Sequence, residues 1–161
     1  MGIVWDNPQD IDRVFAEAQA EYDRKAIYWL CVLGERVVKY ARTNGNYTDQ
    51  TANLRNSIGY IVIQRNKVVY DSFNGTSTPR NDPQGQANVE MAHQRGLNYA
   101  NQVGATLGGY KTYLVWVAGM EYARYVEAKG YDVIQGSGDW VEANAQKLMA
   151  EFERYLKAKG K

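Results

Sequence analysis

One apolar stripe near the start of the chain constrains the fold more than any other feature. Apolar residues recur there at spacings of three or four, the period of an α-helix. The pattern predicts one helix from about Asp10, a candidate N-cap, to Thr43, with the more heavily apolar second half the more buried. Gly45 follows as a candidate left-handed cap. The stripe consists of Ile11, Phe15, Ala18, Tyr22, Ala26, Trp29, Leu33 and Val37.

Such a helix is longer than one face of a small domain usually requires. Two interpretations follow from this length. In the first, the whole helix lies along the core of its own domain. In the second, its N-terminal part reaches past the domain to a neighbouring subunit.

The strands predicted for the rest of the chain form an antiparallel sheet. Their signal is enrichment in β-branched and aromatic residues between turn residues. The third strand is apolar on both faces, so we expect it to be central and covered on both sides. The predicted strands are residues 57–63, 68–73, 111–118 and 131–134, and the first two form a hairpin.

The predicted helices pack on this sheet. A short helix or capped turn spans residues 48–55, and a second helix spans residues 88–103. A third covers residues 120–129 and ends at Gly130, and a last one covers residues 140–158 after a hinge at residues 136–138. The predicted fold is therefore α+β, with a long N-terminal helix, an antiparallel sheet of about four strands and a C-terminal helix packed on the sheet. Residues 1–161 form a single domain in this prediction.

The polar stretch after the hairpin predicts a flexible loop at about residues 74–87. It contains two glycines and two prolines and is about a dozen residues long, a length typical of functional or mobile loops. This loop supports an alternative hypothesis for the chain. In that hypothesis the protein is a small non-enzymatic protein-binding domain that uses residues 74–87 to hold a partner.

Composition narrows the classes of function. The chain is 45% hydrophobic, which favours a folded core, and 19 basic against 18 acidic residues leave a net charge of +1. This balance gives no electrostatic case for a dedicated nucleic-acid-binding protein. The N-terminus lacks the basic and apolar regions of a signal peptide. The apolar runs are far shorter than the roughly 20 residues of a membrane helix, so we expect no membrane partner.

The residues that could carry chemistry are few. His93 is the only histidine, and the polar helix around it favours a structural or solvent-facing role over that of a base. Cys31 lies among apolar residues of the first helix and is interpreted as a small core residue. One histidine and one cysteine do not make a zinc site of the usual kind within one chain. We therefore expect no enzymatic activity, no cofactor and no metal, against the alternative of an enzyme that pairs His93 with a carboxylate.

Two segments together resemble a known family. Residues 51–58 read TANLRNSI and lead into a strand, whereas residues 122–130 read YARYVEAKG and follow a strand. The pair is similar to the tail-completion, or head–tail joining, proteins of long-tailed bacteriophages, a group that includes minor capsid proteins and tail components. In that family a long N-terminal helix precedes a Thr-Gly-x-Leu-Arg-x-Ser-Ile element, and a Tyr-Ala-x-Tyr-Val-Glu-x-Gly element comes later. Here Ala52 stands where the family pattern has glycine, and residues 74–110 look like an enlarged insertion.

The resemblance implies a structural virion protein, made in the cytoplasm of the bacterial host. It implies a homo-oligomeric ring at the head–tail junction that contacts the connector and the tail-tube proteins, and any DNA contact would be made through the lumen of that ring. It implies a scaffold role, and no catalytic role, for the matching residues. These family-motif residues are Leu54, Arg55, Ser57, Ile58, Tyr122, Ala123, Tyr125, Val126, Glu127 and Gly130.

Overall fold

The computed structural model describes residues 8–49, 51–73 and 88–158. It confirms the α+β class, the long N-terminal helix and the antiparallel sheet, while the loop predicted at about residues 74–87 lies outside the described residues. The elements, in chain order, are α1 (Pro8–Asn44), α2 (Asn53–Asn56), β1 (Ile58–Gln64), β2 (Lys67–Asp71), α3 (Val89–Ala105), β3 (Thr112–Ala118), α4 (Ala123–Ala128), α5 (Gln135–Ala143) and α6 (Ala145–Lys157).

Helix α1 is 37 residues long, which corresponds to about 55 Å. It begins at Pro8, so Asp10 lies in its first turn and is not the N-cap. Gly45 does not take the predicted left-handed conformation. A Cβ atom at Gly45 would lie 2.5 Å from the ring of Tyr47, so glycine is required there for close packing. The burial of the second half of α1 is confirmed, because Val37 is fully buried whereas Phe15 is 70% exposed.

The sheet described by the structure has three antiparallel strands in the order β2-β1-β3. The predicted central position of β3 is therefore wrong, because β1 lies between the other two strands. The apolar residues on both faces of β3 correctly indicated that helices cover both faces, and α1 and α3 do so. A strand at the edge of a sheet can also be covered on both faces, so this pattern does not show that β3 pairs with a strand on each side. All of β1 from Ile58 to Ile63 is buried.

The fourth strand predicted at residues 131–134 is absent from the described part of the chain. Side chains bind the backbone N–H groups that a strand would need for pairing. The side-chain amide oxygen of Asn46 accepts from the Asp132 N–H at 2.7 Å, and the Glu127 carboxylate accepts from the Ile134 N–H at 3.0 Å. The described sheet therefore has one strand fewer than the sequence predicts.

The hinge predicted at residues 136–138 is also wrong, because these residues lie in the first half of α5. Carboxylates cap this helix start: Asp132 accepts from the Gly136 N–H at 2.9 Å, and Glu127 accepts from the Gln135 N–H at 2.7 Å. Ser137 is fully buried, where its hydroxyl accepts from the Trp116 indole N–H at 3.1 Å. The predicted last helix consequently starts earlier and is divided at Asn144 into α5 and α6.

Successive side chains of β1 supply two cores. Ile58, Tyr60 and Val62 face α1, whereas Ile61 and Ile63 face α3. The Tyr60 ring lies directly against the backbone of α1, where a Cβ atom on Gly34 would come within 2.6 Å of it. The Tyr60 hydroxyl shares its one proton between two acceptors, the Cys31 carbonyl at 3.0 Å and the Glu35 carboxylate at 2.9 Å. Together these contacts fix the height and the rotation of α1 on the sheet.

Helical glycines give a matched test of this contact. Gly34→Ala should destabilise the protein by about 1–3 kcal/mol, because the new methyl group overlaps a buried ring that has little room to move. Gly138→Ala is the control: it lies in α5 with open space at its Cβ position, so helix propensity should leave stability unchanged or raise it by up to about 1 kcal/mol. Urea unfolding followed by circular dichroism measures both changes. Equal effects at the two sites would contradict the packing described here.

Candidate functional site

The two family-like segments come together at the start of β1. The Ser57 hydroxyl donates to the Leu54 carbonyl at 2.7 Å and accepts from the Met120 N–H at 3.2 Å. The Ser57 carbonyl accepts from the Gly119 N–H at 3.1 Å. Leu54, Ile58 and Ala123 pack in one buried cluster beside this joint. The structure thus joins the first segment to the start of the second, which sequence order alone could not show.

The first segment contains a left-handed residue at the position where the family pattern has glycine. Ala52 has φ 59° and ψ 9°, a conformation that costs a residue with a Cβ atom about 1–2 kcal/mol. The usual glycine therefore has a backbone reason, which Ala52 tolerates at some cost in stability. Arg55 follows on α2: its guanidinium donates to the Gly45 carbonyl at 3.2 Å and lies 4.9 Å from the centre of the Tyr47 ring.

The second segment serves mainly to hold its surroundings. Ala123 is buried and Val126 packs against the same cluster, so Val126 helps to cover the sheet. Glu127 caps α5, and Gly130 has φ 87° with open space around it, so its glycine serves the backbone turn after α4. Tyr125 differs, because it is 61% exposed and stacks only with the Lys129 ammonium, 4.5 Å from its ring centre, among the described contacts.

Tyr122, at the start of the same segment, is 41% exposed. Burial of the remainder raises the pKa of its hydroxyl above the usual value, and the nearby Asp49 carboxylate acts in the same direction. The ring therefore stays neutral and can donate a hydrogen bond throughout the physiological pH range. Of the ten motif residues, Tyr122 and Tyr125 are the two whose side chains offer surface to a partner.

Three residues have potential chemistry: Cys31, His93 and Glu121. Burial raises the pKa of the Cys31 thiol, which leaves less thiolate at neutral pH, and burial lowers the pKa of His93, with the positive charge of Arg42 adding to the effect. The Glu121 carboxylate accepts a hydrogen bond from Arg95 of α3 at 2.9 Å. Across the described residues, no group of three or more His, Cys, Asp or Glu side chains could hold a metal ion.

The N-terminal part of α1 presents exposed apolar side chains beyond the core. Residues 9–22, called the arm below, carry Val14 at 46%, Phe15 at 70% and Tyr22 at 49% exposure. Ile11 and Ala18 lie on the same stripe. This arrangement agrees with the interpretation that α1 extends past its own domain. Among residues 8–49, 51–73 and 88–158, none of the helices is long and apolar enough to cross a membrane.

An apolar groove lies where α1 meets α5 and α6, directly below the arm. It has a volume of about 340 Å³ and runs to Thr112 at the start of β3. Stacked aromatic rings form one wall, with the Trp29 and Phe152 ring centres 6.0 Å apart. Met149 projects beside the groove and is 58% exposed. Residues that line the groove include Tyr22, Trp29, Leu33, Leu148, Met149 and Phe152.

Comparison with protein-family models, with curated proteins and with solved structures yields no match for this chain.

The Ser57 joint provides a direct test of how the two segments are connected. Ser57→Ala removes an acceptor from the buried Met120 N–H and should lower the free energy of unfolding by about 1–3 kcal/mol. Thr106→Ala is a matched control, since its hydroxyl donates to the Val103 carbonyl on the exposed end of α3 and its loss should cost less than about 0.5 kcal/mol. Denaturant unfolding measures both values. A Ser57→Ala protein as stable as the control variant would show that the joint is not structural.

Proposed function

We propose that this protein is a structural virion protein at the head–tail junction of a long-tailed bacteriophage. It forms a homo-oligomeric ring that joins the connector on the head to the tail-tube proteins. It carries no catalytic site and needs no cofactor. It is made in the cytoplasm of the bacterial host and ends in the virion, where any DNA contact is made through the ring lumen.

The observation that carries this proposal is the arm of α1. A helix whose first 14 described side chains, residues 9–22, are mostly exposed yet keep an apolar stripe is suited to contact another subunit. Phe15 is the strongest example, because a phenylalanine at 70% exposure has no polar group that water could satisfy. The stripe is therefore most stable when a second protein surface covers it.

The packing of the two family-like segments supports the phage assignment. Residues 51–58 and 122–130 are adjacent in space, and most of their matching side chains are buried or cap a helix. Such an arrangement is expected of a family scaffold, in which partner contacts lie on other surfaces. Tyr122 and Tyr125 are the motif residues available for direct contact.

Joining of phage particles in vitro tests this function. Inactivating the gene in the phage that carries it should leave DNA-filled heads and complete tails unjoined, and the purified protein should restore infectious particles when added to them. Electron microscopy and plaque counts measure the restoration. A Tyr110→Glu protein is a suitable control, since that ring is 91% exposed and lies outside both the arm and the motif segments. Normal particles in the absence of the gene would overturn the proposal.

A further inference from the structure

We propose that the apolar groove between α1 and α6 receives the arm of a second copy of this chain. The inference rests on the self-association part of the proposed function and deepens it, because it names both surfaces of the contact. The arm is the inserted helix, and the groove of the next copy is its receptor. This is the helix-in-groove mode of recognition, in which one apolar helix face fills an apolar cleft.

The exposed apolar residues point to these two surfaces. Thirteen large hydrophobic side chains are exposed in the described part of the chain, and eight of them are tyrosines. A tyrosine ring carries a hydroxyl that water can satisfy, so its exposure alone indicates little. Five others lack any such group. Val14 and Phe15 lie on the arm, Met149 lies at the groove, and Val68 and Val69 lie on β2.

The arm has the anchor spacing that a groove requires. Ile11, Phe15, Ala18 and Tyr22 follow one another at intervals of four, three and four, which places them on one face of the helix. The groove is continuous with that face, because Tyr22 belongs to the arm and also lines the groove. Its volume of about 340 Å³ accommodates a few large side chains but not a whole helix. Insertion would therefore place apolar anchors in the groove and leave the polar face of the arm in water.

A chain cannot place its own arm in its own groove. Helix α1 is continuous from Pro8 to Asn44, and the groove is lined by the stretch of the same helix that follows the arm. Between Gln9 and Leu33 the helix contains neither proline nor glycine, so the sequence provides no point at which it could fold back. The occupant must come from another molecule. Apart from Tyr22, where the two meet, the arm and the groove are different surfaces, so the contact is heterologous and generates a ring or a filament.

The arm is acidic, whereas the α6 side of the groove carries more basic than acidic side chains. Residues 9–22 carry four acidic side chains and one basic side chain, which gives the arm a net charge of −3. Helix α6 carries Lys147, Arg154 and Lys157 against two glutamates, and one of these, Glu151, is held by Arg36 at 2.7 Å. That hydrogen bond also lowers the pKa of the Glu151 carboxylate. The acidic arm is therefore attracted to the α6 side of the groove and repelled by α5, which carries Asp139 and Glu142, whereas a copy of α6 has no such attraction to the α6 side.

Complementation between two damaged surfaces tests this contact. Phe15→Glu damages the arm and Met149→Glu damages the groove, both at exposed positions where the fold should persist. Each variant alone should associate at least about tenfold more weakly than the wild type, because burial of one large apolar side chain contributes that much to binding. Tyr110→Glu is the matched control and should associate like the wild type. Sedimentation velocity over a concentration series measures association, and circular dichroism verifies the fold.

An equimolar mixture of the two variants gives the decisive result. The Met149→Glu copy keeps a wild-type arm, and the Phe15→Glu copy keeps a wild-type groove. The first can therefore insert its arm into the second, and the mixture should form dimers with one copy of each and nothing larger. Native mass spectrometry identifies such dimers. If Met149→Glu impairs folding, Met149→Gln replaces it, since the amide also opposes an apolar contact without adding charge.

Several outcomes would overturn the proposal. Loss of association in Phe15→Glu but not in Met149→Glu would indicate that two arms pair with each other, and the reverse would indicate that the groove holds something other than the arm. A wild type that stays monomeric at its highest soluble concentration would also exclude the contact.

The arm contact and the phage role can be contradicted independently of each other. If rings form through this contact but do not join heads to tails, only the proposed phage role is wrong. If the Phe15→Glu protein joins heads to tails as well as the wild type does, only the proposed arm contact is wrong.

Discussion

The contact between Tyr60 and helix α1 determines how the rest of the molecule is arranged. Tyr60 is fully buried at the centre of β1, and its ring fills the space left by Gly34. Burial, together with the hydrogen bond to Glu35, raises the pKa of its hydroxyl, so the group remains a neutral donor. A long helix can slide or rotate on a sheet when only apolar contacts hold it. A ring against a glycine, with its hydroxyl held between the Cys31 carbonyl and the Glu35 carboxylate, leaves one height and one rotation.

This fixed attachment explains why one helix can serve two purposes. The half of α1 that includes Val37, Val38 and Ala41 is buried against β1, whereas the arm ends at Tyr22, whose ring centre lies 6.5 Å from that of Phe152 in α6. Because α1 is unbroken, its anchored half holds the arm in a defined direction. An arm that is already helical and oriented loses less conformational entropy on binding than a disordered segment would lose. The same rigidity keeps the arm out of the groove of its own chain.

The sequence predicted the elements well where a single period dominated. The stripe from Ile11 to Val37 gave α1, and the β-branched run at residues 58–63 gave β1, because burial on one or two faces leaves a pattern in the residues themselves. The errors arose where a distant side chain decided the local structure. Residues 131–134 resemble a strand, but Asn46 and Glu127 bind their N–H groups. Ser137, between two glycines, resembles a hinge residue, but Trp116 and the caps of α5 hold it inside a helix.

The candidate site was only partly predictable for the same reason. The two family-like segments could be recognised from sequence, and the exposed half of α1 was one of two interpretations of its length. The groove could not be foreseen, because its walls come from α1, α5, α6 and Thr112, which are distant in sequence. Periodicity identifies an apolar face but does not show whether the molecule's own chain covers it. Met149 illustrates this limit: it belongs to the apolar side of the predicted last helix, yet it is 58% exposed.

The arm and the groove also constrain what an assembly of this chain can be. If each copy gives one arm and receives one, every subunit in a closed ring has all of its apolar anchors covered, whereas a dimer leaves one arm and one groove open. Closure therefore adds a contact without ordering a further molecule, and the complete ring is favoured over its intermediates. The angle between α1 and the groove sets the number of copies at which closure occurs. Because Tyr40 stacks on Trp140 of α5 and Arg36 pairs with Glu151 of α6, contacts within each subunit fix that angle, and the packing of the helices is connected directly to the geometry of the assembly.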